Sequence, residues 1–419
     1  MRSNFARRRV ACALAFCALS AGPALATNGY IANGYGGASK GMAGAGVAVP
    51  TGVLGLAQNP AMGLKVGNQA ALCLTNFWPN REVEVAPGGP LTAGTHKSLN
   101  DYFLIPCGGA NWMLNDRLSV GAFLFGNGGM NTEYSTNFLA GLGAGSAPLG
   151  VNLEQAFISL NVSYQATDTL TFGFSPIFAI QRFSATGLEA FSAMSIDPTH
   201  VTNQGDDWAN GFGYNIGVLW EPTPQLSLGA AYRSKIDMEP FEKYAGLFAE
   251  QGDFDVPAVA TLGAAWIPPS LPKWTFSGEF QRIFYSDVAS VSNPNAPPLG
   301  PLGADNGVGF GWKDIDIWRV AAVYRHSDRW TFRGGISGAS KLFDDSSAVI
   351  NALTPATPRW HASLGASYKV NDHWGITTSY THAFNAEVTG ANPALTGVAQ
   401  PVGIRMSQHE FAIGATYRW

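Results

Sequence analysis

Few residues in this chain have chemistry to offer, and they are scattered. His361 and Ser363 fall two apart, so a strand would put both on one face and could set a base beside a nucleophile. The flanking Ala362-Ser-Leu-Gly-Ala-Ser367 carries no hydrolase signature, and two inward-facing polar residues are the better reading. The seven histidines show no paired zinc spacing, the closest two being His373 and His382. Glycine runs near the N-terminus miss the phosphate-loop pattern, because Lys40 follows Ser39 and precedes Gly41. Asp206-Asp207 and Asp344-Asp345 read as solvated loop acids. Cys73 and Cys107 fall on consecutive predicted strands and could pair as a disulfide in an oxidising compartment. No metal site, no cofactor and no catalytic centre is expected.

The elements that must carry these residues are set by composition. Residues 1–26 read as a cleaved export signal: Arg2, Arg7, Arg8 and Arg9, then an apolar run from Val10 to Leu19, then Ala24-Leu25-Ala26. Its removal takes the 25 basic groups to 21 against 29 acidic ones, a net −8 that argues against nucleic acid. No later run is long and apolar enough for a membrane helix. Yet only 13% of residues are charged, 12% are aromatic and 50 are glycine, where a soluble domain carries nearer ~25% charge. That combination fits an all-β protein, a transmembrane antiparallel β-barrel of the bacterial outer membrane, over residues 69–419.

The strand pattern supports it. Phe411, Ile413, Ala415, Tyr417 and Trp419 alternate with Glu410, Ala412, Gly414, Thr416 and Arg418, apolar outward and small or polar inward. Tight turns recur at Asn115-Asp116, Thr167-Asp168, Pro222 to Pro224, Pro268 to Pro272, Ser327-Asp328 and Asn371-Asp372. Between them lie seven longer connections: Pro79 to Leu99, Gly128 to Gly150, Gly187 to Asp206, Tyr244 to Asp253, Asp287 to Asp314, Lys341 to Thr357 and Glu387 to Arg405. Six turns and seven loops give about 14 strands and put both ends of the chain on the periplasmic side. Leu170 to Thr186 and Leu226 to Lys243 read as strands longer than a crossing requires.

Residues 27–68 do not fit the wall. They hold eleven glycines in 42 residues, with only Lys40 and Lys65 charged. Glycine disfavours regular elements, and the segment is too apolar for a solvated linker. It reads as an N-terminal hatch plugging the lumen.

Three stretches resemble the FadL family of outer-membrane transporters for long-chain fatty acids and other hydrophobic compounds. They are Trp208-Ala-Asn-Gly-Phe-Gly-Tyr-Asn-Ile-Gly-Val-Leu-Trp220 continuing to Leu228-Gly-Ala-Ala-Tyr-Arg-Ser-Lys-Ile236; Gly311-Trp-Lys-Asp-Ile-Asp-Ile-Trp-Arg319 with Asp328-Arg-Trp-Thr-Phe-Arg-Gly-Gly-Ile336; and the hatch triplet Asn59-Pro60-Ala61. The resemblance implies a 14-stranded barrel, a hatch inside it and a third strand kinked inward as a lateral gate. The matching stretch here is Gly126, Asn127, Gly128 and Gly129, which the family's counterpart of Asn59 contacts. It also implies a head-group site: Lys313 matches a basic residue there, Arg319 and Arg182 are nearby candidates, and the family's other head-group arginine falls at Gly187. Apolar loop residues Leu188, Phe191 and Met194, with Phe241, Leu247 and Phe248, would form a capture groove.

The expected partners are a long-chain fatty acid or other hydrophobic small molecule, with outer-membrane lipid and lipopolysaccharide around a monomeric barrel. Aromatic hydrocarbon uptake and a structural or adhesion barrel are the alternatives.

Overall fold

The computed structural model describes residues 28–297 and 299–419; the export signal expected over 1–26 lies outside them. Fourteen of the sixteen strands form a closed wall, each antiparallel to its neighbours. They are β1 (Gln69–Val85), β2 (Phe103–Asn115), β3 (Leu118–Tyr134), β4 (Leu149–Thr167), β5 (Leu170–Thr186), β6 (Asp207–Thr223) and β7 (Leu226–Arg233). The circuit continues through β8 (Val259–Trp266), β9 (Trp274–Ile283), β10 (Ile315–Arg325), β11 (Trp330–Ala339), β12 (Trp360–Lys369), β13 (Trp374–Gly390) and β14 (Val402–Arg418). β14 closes on β1 in a continuous register from Gln69 opposite Arg418 to Val85 opposite Val402. Closure leaves no end strand unpaired, as hydrocarbon requires of most backbone polar groups. Short ribbons at Gly94–Lys97 and Asp237–Met238 ride on β1 and β6.

Side chains sort by the two-residue period of the strands. Leu72, Leu160, Val320 and Leu364 are exposed on the outer face. Trp112, Trp220, Trp266, Trp330, Trp374 and Trp419 stand exposed beside the tight turns, and Trp78, Trp208, Trp318 and Trp360 stand exposed nearer the long loops. Such paired aromatic girdles mark the two membrane interfaces. Each of the six expected tight turns joins two wall strands.

The long connections differ from expectation most in three places. β1 runs through Pro79 to Val85 instead of stopping at Pro79. Proline is tolerated there because residues 78–81 pair with β14 alone, between the stretches that meet β2 and the ribbon. β3 carries on past Gly128 to Tyr134. β7, expected to reach Lys243, ends at Arg233. There the chain gains one residue relative to β6, since Arg233 faces Asn215 but Asp237 faces Phe212. The bulge turns the chain inward and buries Ile236, Met238 and Phe241 beneath the loops.

Residues 28–68 lie inside the wall and fill it; this segment is called the plug below. It makes only short helical turns, Gly36–Lys40, Val53–Ala57, Pro60–Met62 and Gly63–Val66. Met42, Ala45, Val47, Ala48 and Val49 pack on Ala231, Ala265, Ala321 and Val323 of the wall. Wall glycines let its backbone come close. A Cβ added at Gly173 would stand 2.1 Å from the Pro60 carbonyl carbon, and one at Gly229 would stand 2.1 Å from the Val47 oxygen. Two buried carboxylates fasten it further. Glu279 of β9 accepts from the amides of Gly46 and Val47, each at 2.9 Å, and Glu410 of β14 pairs with Lys40.

Candidate functional site

The break in the wall lies between β2 and β3. Their ladder runs from Asn115–Leu118 up to Gly108–Leu124 and stops there. Both strands go on: residues 103–107 of β2 pair with β1, and residues 125–134 of β3 pair with β4. The facing edges are joined again only at the top, where Ser98 bridges Tyr134 and Leu99 donates to the Glu133 carbonyl at 2.7 Å. The result is a window in the wall, lined by Ile105, Cys107, Phe125, Gly126 and Gly128 and backed by Ala32, Gly34 and Tyr35 of the plug.

The sequence makes the window through Asn127. It is the extra residue of a bulge, since Gly126 faces Ala156 and Gly128 faces Gln155 on β4. Gly128 takes a φ of 150°, which a side chain would strain. The bulge turns Asn127 into the lumen, where it is fully buried. Its carbonyl accepts from Ala32 at 2.7 Å, and its side-chain oxygen accepts from Tyr35 at 3.0 Å and Arg233 at 2.7 Å. Its amide donates to Gln155 at 2.8 Å. β3 therefore exchanges its bond to β2 for bonds to the plug.

Asn59 plays a different part from the one the resemblance implied. Its amide donates to Val47 at 2.7 Å and to Val218 of β6 at 3.1 Å, and its oxygen caps Ala61. Ile31, Ala32 and Tyr35 make the contact with the bulge instead. Pro60 offers its carbonyl to Asn161 and Ser163 of β4, so the Asn59-Pro60-Ala61 turn is held by the wall at β4 and β6 and not by the bulge.

Above the plug, the outer loops roof an apolar chamber of about 90 Å³. Leu188, Phe191, Met194, Leu247 and Phe248 line it with Met130, Val151 and Phe183 of the wall. Phe241 stands behind, with its ring centroid 5.5 Å from that of Phe183. Residues picked from two separate loops thus meet in one chamber. Met130 lies on β3, four residues beyond Gly126, so one strand touches both chamber and window. Among the described residues the chamber's polar side chains are Ser290 and Asn295.

The three expected head-group cations lie apart, and each has a carboxylate already. Lys313 is exposed and pairs with Asp344 at 2.7 Å. Arg182 pairs with Glu154 and with Asp206 at 3.2 Å. Arg319 is buried against Glu279 at 2.9 Å and also donates to Gln281 at 2.9 Å. Among the described residues none of the three lines the chamber. Sequence spacing carried no sign of these partners, since Glu279 and Asp344 are distant in the chain.

An aromatic knot ties the plug's start to the loops. Tyr30 packs on Phe254, Tyr285 and Trp312 with centroids 5.3–5.7 Å apart. Tyr285 donates to the Asn28 carbonyl and receives the Tyr30 amide at 3.2 Å. Burial pushes both phenols up and keeps them protonated. Cys73 and Cys107 oppose each other on β1 and β2, joined as a disulfide at the window's lower corner. His361 meets Ser337 at 3.2 Å while Ser363 donates to Thr381, so the two form no base–nucleophile pair.

Comparison with known proteins places this geometry. A family model described as "Outer membrane protein transport protein (OMPP1/FadL/TodX)" matches residues 15–419. The chain belongs to this family. It is a bacterial outer-membrane protein, and the family is one of transport channels, not enzymes. A FadL relative from Escherichia coli O6:H1, named long-chain fatty acid transport protein, is 26% identical over 320 residues, 66% of this chain and 69% of that one. A "47 kDa outer membrane protein" of Pasteurella multocida is 22% identical over 387 residues, 87% of each chain. Among solved structures, the Pseudomonas putida toluene transporter TodX superposes with a TM-score of 0.71 at 20% identity, over 92% of this chain and 99% of TodX. A Pseudomonas aeruginosa FadL homologue gives 0.68 at 17%, over 93% and 99%. At these identities the structural likeness speaks for the fold.

Proposed function

We propose that this FadL-family protein carries hydrophobic molecules passively across the outer membrane, long-chain fatty acids first among them. Cargo is taken up in the loop-roofed chamber, passes when the plug shifts, and leaves sideways through the window between β2 and β3. A single observation carries the reading: both strands continue past Gly108 and Leu124 while the ladder between them stops. An acyl chain costs about 0.8 kcal/mol per methylene to place in water. A route from apolar chamber to apolar bilayer avoids that cost, and a water-filled pore does not. The likeness to the E. coli fatty acid transporter supports the same cargo.

A second reading is uptake of neutral aromatic hydrocarbons. The chamber favours it in holding no cation among the described residues; at about 90 Å³ it is smaller than the ~150 Å³ of an engineered cavity that takes benzene, so even a small aromatic must move side chains to enter. A fatty acid must displace more of them. Proteoliposomes given labelled oleate and labelled toluene separate the two readings. Oleate entering faster than into protein-free liposomes supports the first, toluene alone supports the second, and neither removes both.

A further inference from the structure

We propose that Arg233 is the carboxylate receptor on this route, docking an acidic head group between the plug and the wall strands β6 to β10. The proposal rests on the transport reading above and names the residue that selects acids. Arg233 is the last residue of β7 and faces inward with Gly229 and Ala231. It is 6% exposed. Its Nη1 donates to Asn127 at 2.7 Å and to the Tyr35 hydroxyl at 3.3 Å, and its Cζ lies 5.6 Å from the Phe157 ring centre. These contacts fix the guanidinium plane. Its Nε and Nη2 have no hydrogen-bond partner. Those two N–H groups share one edge of the guanidinium, the edge that receives a carboxylate in two parallel bonds.

The comparison with Arg319 makes the point sharper. Both arginines face the same small cavity, with Gly34, Tyr35, Gln58 and Thr261. Arg319 is buried to a similar degree, but Glu279 neutralises it. Among the described residues no carboxylate lies within ion-pair distance of Arg233. A buried cation without a counter-ion is costly, and the fixed, open fork supplies a site that an arriving anion completes. The cavity holds about 30 Å³, room for a head group and not for a tail. Ala32, Gly34 and Tyr35 line both this cavity and the window, so a shift of these plug residues would open a docked head group's tail toward apolar Phe125 and Ile105.

The test compares oleate with oleyl alcohol, which share a tail and differ in the head. Binding of each labelled lipid to the detergent-purified protein is measured for wild type, Arg233→Gln and Arg233→Lys. The expected result is a roughly tenfold or greater loss of oleate affinity in Arg233→Gln, with oleyl alcohol unchanged. Arg233→Lys keeps the charge without the fork and is expected to recover only part of the loss. Should Arg233→Gln fail to fold, the lysine variant still reads the acid against the alcohol. Equal losses for both lipids make Arg233 a strut for Asn127 and Tyr35 and overturn the proposal, as does no loss for either. If the wild type binds the alcohol and not the acid, the receptor falls and hydrophobe transport stands. If it binds neither, the transport reading falls with it.

Discussion

Gly173→Ala is expected to unseat the plug without unfolding the barrel. The added Cβ would stand 2.1 Å from the Pro60 carbonyl carbon, 2.2 Å from the Ala61 nitrogen and 2.4 Å from the Pro60 oxygen. Carbon atoms pack at about 3.5–4.0 Å, so the Asn59-Pro60-Ala61 turn must retreat by roughly an ångström or more. Three bonds depend on its position: Asn161 to Pro60 at 3.2 Å, Ser163 to Pro60 at 2.5 Å and the Gly63 amide to Ser163 at 3.1 Å. At about 0.5–1.5 kcal/mol each, their loss removes roughly 2–4 kcal/mol of plug attachment. The wall ladder at Gly173 pairs with Ser163 and Gly217 and is not touched by the change. The assay is hydrogen exchange of plug amides in detergent, with barrel folding followed by heat-modifiable gel mobility. Faster exchange over residues 53–66 with an intact barrel is predicted. Gly278→Ala, where a Cβ meets nothing within 4 Å, is the control. Unchanged exchange in Gly173→Ala would refute the view that the wall's glycine seat holds the plug in place.

Three further outcomes follow from the same geometry. Glu279→Gln leaves the buried Arg319 without its counter-ion and weakens the seat of Gly46 and Val47. Breaking such a pair costs roughly 3–5 kcal/mol, and faster plug exchange with a lowered Tm is expected. Met130→Trp fills the chamber beside Phe183 and Phe248 and should bring oleate uptake in proteoliposomes close to background while the barrel folds normally. In the loop after β7, burial pushes the Asp253 carboxyl up to about 7 from 3.8, helped by Asp255 and Glu250 and opposed by Lys235. The folded loop keeps that proton where the unfolded chain has lost it, so the contribution is full below 3.8 and fades as pH rises through about 7. Amides of residues 244–258 should exchange faster at pH 8.5 than at pH 5.5 after correction for intrinsic rates, and Asp253→Asn should remove the difference.

Local pattern made much of the barrel legible. Alternation from Phe411 to Trp419 announced an outward face, and turn residues such as Asn371-Asp372 located the short connections. The apolar loop residues could be picked as buried because exposure would leave Phe191 and Phe248 without cover. The bounds of β1, β3 and β7 were not legible, because each depends on which neighbouring strand is present. Pro79 stays in β1 only where β2 does not pair with it. The cations misled for a related reason. A lysine or arginine in sequence reads as free, and whether it is free is decided by acids elsewhere in the chain, as Glu279 decides for Arg319. Arg233 sits within a stretch that resembled the family, yet its inward parity at the end of β7 was the only local sign of it. The acids that neutralise Arg182 and Arg319 and pass it by belong to the folded barrel alone.

Photolabelling with a diazirine-bearing long-chain fatty acid tests the central claim directly. After illumination of the reconstituted protein, the account predicts labelled peptides at Met130 and Phe248 in the chamber and at Ile105 and Phe125 in the window. Label found only on outward residues such as Leu160 and Leu364, with chamber and window clean, would contradict it.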